Sequence, residues 1–385
     1  MKRLFLFIAL LSGVLILAAC SAANLIPGET QTTPTTSTTP TTANTWQPVS
    51  TPSAATHINY FTVDSSNRWF IADYLSGFFM SLDQGKTWTN IGLMNPADWT
   101  INVDPANGDL IVGTVGPSGP NATPKPTAAY YRSTDVGVTW TKISAPFTVN
   151  QPALSGCVFA SNNNMLCGGR WAPYPSSGLW VSTNGGVTTT AGLLAGPIPI
   201  CITGGSVYTI ALNPFDDSLW FGTEQCGAFR STDNGFHWTE ATPADLQIDP
   251  VKGIRDGNLV SFTFDNVGNV LFCAQGGIFK SSGSGPFTWT NVKRNGNTAS
   301  GRVLGKDGAG NLYYTHNPDP LDPHVIFRST DQGITWQPFD AGIPTTPAVL
   351  THQFFHNPHD GNMYAVIEAA SNSRNTPPGQ LYVLR

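Results

Sequence analysis

From about residue 45 onward the chain is a succession of short apolar runs separated by polar turns. The stretch "TINVDP" leads through an Asn-Gly turn into "DLIVGTV", and after a loop come "AYYRS", a polar turn and "TWTKIS". Further along, the same order returns as "YTIALNP", "SLWFGTE", "GAFRS" and "HWTEAT". Short runs rich in β-branched and aromatic residues, bounded by Gly, Asn, Asp and Pro, are strand signals. Almost nowhere do apolar positions take the spacing of an amphipathic helix. Each unit therefore predicts four short antiparallel strands.

The turn between the third and fourth strands is nearly the same phrase each time. It reads "SLDQGKTW" from Ser81, "STDVGVTW" from Ser133, "STNGGVTT" from Ser182, "STDNGFHW" from Ser231, "SSGSGPFTW" from Ser281 and "STDQGITW" from Ser329. The starts lie 48 to 52 residues apart, a period that marks one repeated supersecondary unit. Ser and Asp have short side chains that bond nearby backbone N–H groups, and Gly accepts positive φ. The closing Trp is a large ring that gains by burial. Two copies depart from the phrase. The third has Asn184 for Asp and Thr189 for Trp, and the fifth has Gly283 for Asp and one extra residue. Both turns are expected to be looser.

Four strands per unit at this period predict a β-propeller. The phrase resembles the Asp-box, or BNR repeat, S-x-D-x-G-x-T-W, of sialidases, sortilin-type receptors, some xyloglucan-active hydrolases and photosystem II assembly factors. Over residues 45–385 that resemblance implies an all-β fold in which Asp83, Asp135, Asn184, Asp233 and Asp331 hold structural turns away from the ligand face. It implies no particular chemistry, because these families share the turn and differ in activity. After the last box, "QFFHNPHDGNMYAVIEA" and "QLYVLR" supply three strands of another blade and no fourth. At the other end "NTWQPVS" from Asn44 matches "ITWQPFD" from Ile334, a fourth strand. Thr45 to Ser50 is thus expected to join the C-terminal strands and close a ring of seven blades, leaving no exposed sheet edge.

Ahead of the propeller, "MKRLFLFIALLSGVLILAAC" has two cations, an apolar run and small residues before Cys20, the layout of a secretory signal peptide over residues 1–19. "LAAC" resembles the lipobox of bacterial lipoproteins, which implies cleavage before Cys20 and lipid on its sulfur. Residues 20–44 include "ETQTTPTTSTTPTTANT", too poor in apolar groups to repay ordering, and read as a tether. The propeller would then face the extracytoplasmic side of a bacterial membrane, held by lipid alone. The formal charge is −5, and without Lys2 and Arg3 it is 17 basic against 24 acidic residues. Such a balance excludes a phosphate-tracking nucleic-acid binder. Outside the cytoplasm cysteines pair. Cys157 and Cys167 flank an Asn-rich turn and are one candidate pair, Cys201 and Cys226 share a unit and are a second, and Cys273 is left over. With no CxxC and no nearby His pair, neither a metal nor a cofactor is expected.

Loops joining strands two to three and loops joining blades share one face of a propeller, so candidate chemistry is sought there. Trp171 and Tyr174 are candidates for stacking on the apolar face of a sugar, with Arg170, Arg255, Arg294 and Arg302 for polar contacts; the same mixture suits a peptide. A glycoside hydrolase needs two carboxylates at the right separation, for which Asp73, Asp98, Glu224, Asp245 and Asp256 are candidates. Resemblance to sialidases implies an arginine triad and a Tyr–Glu pair, but the Arg-Ile-Pro start of that family is absent and the first inner strand reads "HINYFTVD". Arg132, Arg230 and Arg328, spaced by 98 just before alternate boxes, read as structural. His316, Asp319, Asp322 and His324 in "HNPDPLDPH" lack EF-hand spacing. The expected protein is a monomeric, non-catalytic propeller that binds an extracellular glycan, peptide or membrane-protein partner. The alternative is a sialidase-like or other glycoside hydrolase.

Overall fold

The computed structural model describes residues 44–385 apart from 94–96, 116–128, 146–150, 171–177, 195–206, 224–226, 243–260, 275–276, 284, 300, 317–321, 345–348 and 370–378. The first strand of each repeat touches the first strand of the next, and the ring closes. These inner strands are Ile58–Val63, Ala97–Val103, Gln151–Phe159, Val207–Leu212, Ser261–Phe264, Leu304–Lys306 and Val349–His356, and the last lies against the first. Each begins an antiparallel sheet of four strands in sequence order, so the molecule is an all-β propeller of seven blades. In the seventh blade the outer strand is Trp46–Pro48, paired antiparallel with Gln380–Leu384 through Trp46↔Leu384, Gln47↔Val383 and Pro48↔Tyr382. The N-terminal strand closes the ring as the sequence predicts. Two further pieces are unpredicted: Leu193–Leu194 adds a parallel strand beside His237–Trp238 in the fourth blade, and Lys293–Arg294 with Asn297–Thr298 forms a small hairpin before the sixth.

Stacking explains why second strands are apolar without alternation. A blade has neighbours on both faces, and all residues of Trp69–Asp73, Leu219–Thr223 and Val270–Ala274 are buried. The core is correspondingly a series of seams. Phe70, Phe78, Ile101 and Val112 fill the seam between the first two blades, and Leu166, Val181, Phe221 and Trp238 that between the third and fourth. The seam closing the ring holds Ile58, Phe61, Trp69 and Ile71 against Tyr364, Val366 and Leu381. Trp46 is buried against Tyr313 and Phe354 and donates from Nε1 to the Phe339 carbonyl at 2.8 Å. The innermost strands still present an unpaired edge to the central channel. Several of its N–H groups are satisfied by a side chain of the preceding blade: Phe61 by Gln353 at 2.8 Å, Cys157 by Asn102 at 3.0 Å and Leu304 by Ser261 at 3.0 Å.

The boxes are self-contained hydrogen-bonded knots. In the second, the Ser133 hydroxyl accepts from Gly137 N–H at 2.7 Å and donates to Asp135 Oδ1 at 2.8 Å. Asp135 in turn accepts from the Thr139 amide at 2.8 Å and hydroxyl at 2.6 Å. Asp83, Asp233 and Asp331 repeat the pattern, with His237 Nδ1 in place of the threonine hydroxyl beside Asp233. Gly137 sits at φ 90°, and a Cβ there would lie 2.7 Å from that of Ile91, so the turn admits no larger residue. The looseness expected of the third box is not found. Asn184 Oδ1 accepts from Thr188 N–H at 2.9 Å, its amide donates to the Thr188 hydroxyl at 2.9 Å, and Ser182 keeps its bond from Gly186 at 2.8 Å. An amide carries both roles here because the partner hydroxyl can turn from donor to acceptor. In the fifth unit Ser281 instead accepts from the Val270 amide at 2.8 Å, a genuinely different turn.

Beside the boxes, charged side chains tie the turn between strands one and two to the third strand. Arg132 pairs with Asp109, Arg230 with Asp216 at 2.8 Å and Lys280 with Asp265 at 2.9 Å. Arg328 instead lies over the Phe339 ring at 4.7 Å. The recurring arginines therefore have the structural role read from their spacing. Cys157 and Cys167 face each other in register and form a disulfide, whereas Cys273 is a buried thiol. Cys201 and Cys226 lie outside the described residues.

The box carboxylates make folding pH-dependent. Bonds from the Thr87 hydroxyl and amide hold Asp83 at about 2, and those from Thr139 lower Asp135. A carboxyl more acidic folded than unfolded contributes stability above its unfolded pKa and loses it as pH falls through the folded value. Melting temperature is expected to fall as pH drops from about 4 to about 2, by an amount that solvent screening of these exposed groups keeps modest. The triple variant Asp83→Asn, Asp135→Asn, Asp331→Asn, with the amide that Asn184 already uses, should give a flatter profile in melts recorded across that range. An unchanged slope would remove the boxes as its source.

Candidate functional site

The two ends of the ring differ. At one end lie the boxes and tight Asp- and Asn-closed turns. At the other lie the connections between strands two and three and between blades, and these vary from residues 74–76 in the first blade to 116–128 in the second and 370–379 in the seventh. A fixed scaffold with one variable end places function on the variable end.

The inner strands break register as they leave that end. Pairing slips by one residue between Ile58 and Tyr60, Asp98 and Thr100, Val207 and Thr209, and Thr351 and Gln353, and by more between Pro152 and Cys157. The extra residues are Asn59, Trp99, Tyr208 and His352. Such bulges re-aim side chains at barrel rims and active sites. Sequence analysis missed them, although a signal is there: buried residues fall three apart at Ile58 and Phe61 and at Thr351 and Phe354, where a plain strand alternates by two. Asn59 Nδ2 is buried with no hydrogen-bond partner, and His352 Nε2 lies 2.6 Å from Glu368 Oε2. The bulged positions thus carry a buried amide, a buried phenol and an imidazole–carboxylate pair.

Asp73, offered by the sequence as a catalytic carboxylate, is corrected by its surroundings. It is fully buried, and it accepts from the backbone amides of His57 at 2.5 Å, Leu75 at 3.0 Å and Ser76 at 2.8 Å, and from the Ser76 hydroxyl at 2.6 Å. A carboxylate so buried and so bonded to its own loop pins that loop and is closed to a substrate. Arg294 is likewise engaged. It pairs with Asp322, lies over the Phe327 ring at 4.0 Å and is 18 % exposed, so it braces the 293–298 hairpin against the sixth blade. Burial opposes ionisation of Asp322, but bonds from Arg294 and the His324 amide and the charge of Arg294 outweigh it and hold its carboxyl below the usual range. His324 Nδ1 lies 3.1 Å from Asp340, which also accepts from the Val325 amide at 2.8 Å. Burial raises Tyr314, stacked on Phe327, above the usual phenol range. Arg302 is exposed on the same face.

Trp171, Tyr174, Glu224, Asp245, Arg255 and Asp256 lie outside the described residues, as does Asp319. Asp98 and Arg170 belong to strands whose side chains are not described there. Among the described residues no group of three His, Cys, Asp or Glu is placed to hold a metal ion.

Comparison with known proteins follows the repeat. A model of the BNR/Asp-box repeat matches residues 327–338, the last box with its flanking strands. A curated xyloglucanase from Paenibacillus sp. is 26% identical over 278 residues, which cover 62% of this chain but only 26% of that protein. The chain thus spans about a quarter of this curated relative. Among solved structures, virginiamycin B lyase from Staphylococcus aureus superposes with a TM-score of 0.61 at 16% identity, over 89% of this chain and 99% of that one. YCF48 from Cyanidioschyzon merolae gives 0.59 at 14%, over 89% and 98%. A GH74 xyloglucanase from Xanthomonas campestris gives 0.59 at 17%, over 88% of this chain and 55% of the enzyme. At these identities the likeness is one of fold. The chain is a seven-bladed β-propeller with BNR/Asp-box repeats, and it shares the propeller fold with both enzymes and a peptide-bound protein.

Proposed function

We propose that this protein is a lipid-anchored, extracytoplasmic propeller that binds a glycan, peptide or membrane-protein partner through the end of the ring opposite the boxes. The observation that carries this reading is the asymmetry of the two ends: repeated, hydrogen-bonded turns at one, divergent connections and re-aimed inner-strand residues at the other. Three described carboxylates at the variable end are already engaged, Asp73 by its loop, Asp322 by Arg294 and Asp340 by His324 and the Val325 amide. Each of the three holds a loop or a neighbouring side chain in place, a role that suits a binding surface. The likeness in fold to YCF48 bound to D1 peptide is in keeping with it. A hydrolase remains the second reading because of the sequence likeness to a xyloglucanase.

A glycan-array and peptide-array screen of the full-length protein, followed by product analysis of every hit, separates the two. Saturable binding of an intact ligand, weakened by about tenfold or more in Trp171→Ala, is the expected result. Released sugar would establish the hydrolase instead. The anchor is tested separately by metabolic labelling with a fatty acid: the wild type should be labelled and Cys20→Ser should not, and equal labelling of both would remove the anchor from Cys20.

A further inference from the structure

The third box keeps its turn and loses its tryptophan. One seam earlier, Trp140 of the second box fills the space between blades. Its Nε1 donates to the Ile91 carbonyl at 2.9 Å, its ring lies 6.0 Å from that of Phe78, and Gly92 gives it room, since a Cβ there would lie 3.4 Å from Nε1. In the next seam Thr189 stands in its place and donates to the Ser144 carbonyl at 2.6 Å. Ser144 likewise follows Ile143 as Gly92 follows Ile91. Beside this exchange, on the outer rim where the second and third boxes meet, a cavity of about 260 Å³ opens.

Its lining has a definite chemistry. Lys142 has no ion-pair partner among the described residues. Arg132 directs Nε and Nη2 at Asp109, which leaves Nη1 beside Gly185, where a Cβ would lie 3.1 Å away. Thr134, Thr141 and Ser144 supply hydroxyls, Ile143 and Val187 an apolar surface, and no carboxylate lines the space. Two cations, several hydroxyls and a small apolar surface are complementary to one ring that carries a carboxylate, hydroxyls and an apolar C–H face.

We propose that the seam between the second and third boxes binds a single uronic acid residue of a glycan. Its carboxylate meets Lys142 and the free Nη1 of Arg132, and its hydroxyls meet the threonines. The site lies away from the variable end and stands or falls independently of the function proposed above.

Isothermal titration of the full-length protein with methyl glucuronide and, separately, methyl glucoside tests this. Saturable binding of the glucuronide, with the glucoside about tenfold weaker or undetectable, is expected. Lys142→Gln, an exposed change, should weaken it about fivefold, and raised salt should weaken it further. The pair Thr189→Trp, Ser144→Gly, which rebuilds the preceding seam, should abolish it. Should that pair melt early, the Lys142 variant decides alone. No glucuronide binding, equal binding of the glucoside, or an undiminished Lys142→Gln complex overturns the proposal. Acetate competing as well as the glucuronide overturns the sugar and leaves only an anion hole.

Discussion

Every blade depends on being stacked on both sides. A four-stranded sheet with residues such as Phe70, Ile71, Phe221 and Phe272 directed to both faces has nowhere to bury them alone. A row of such sheets would still leave its two terminal apolar faces in water. Closing the row into a ring buries both faces against each other, and one short strand, Trp46–Pro48, completes the seventh blade. Its indole sits in the seam between the sixth and seventh blades, so the pairing and the packing form together or not at all.

Once the ring is closed, its two ends are free to differ. At the box end each turn satisfies its own polar groups locally, which makes it insensitive to what the neighbouring blade carries, and the Arg–Asp and Lys–Asp pairs fasten adjacent turns to the sheet. At the other end the connections are long and unequal, and the inner strands are bulged just where they enter the ring. Position for a ligand is therefore set by rigid strands, while its chemistry is set by segments that the fold does not constrain. The same scaffold can host a lyase, a glycosidase or a binding protein for this reason.

Architecture was legible because it is repeated. Six boxes at a steady period gave the blades, and the recurrence of "TWQP" at residues 45–48 and in the sixth blade's fourth strand at 335–338 gave the closure. Side-chain roles set within one unit were also readable, as with Cys157 and Cys167 across a hairpin or Arg132 before its box. Roles set between units were not. Nothing local joins Arg294 to Asp322, since their contact depends on how the hairpin leaving the fifth blade meets the sixth. The third box misled because a residue-type rule, Asp for Asn, hides that the amide and the carboxylate use the same Oδ1. The bulges were overlooked although Ile58 and Phe61 print them, because alternation was read as present or absent and not counted residue by residue.

Hydrogen exchange of the native full-length protein bears most directly on ring closure. If one strand holds the ring, the amides of Trp46–Pro48 and of Gln380–Leu384 exchange only with the inner strands, in the slowest cooperative unit. Fast exchange of the N-terminal strand, with the inner strands still protected, would contradict the account and make the seventh blade an appendage of a ring held closed by other means.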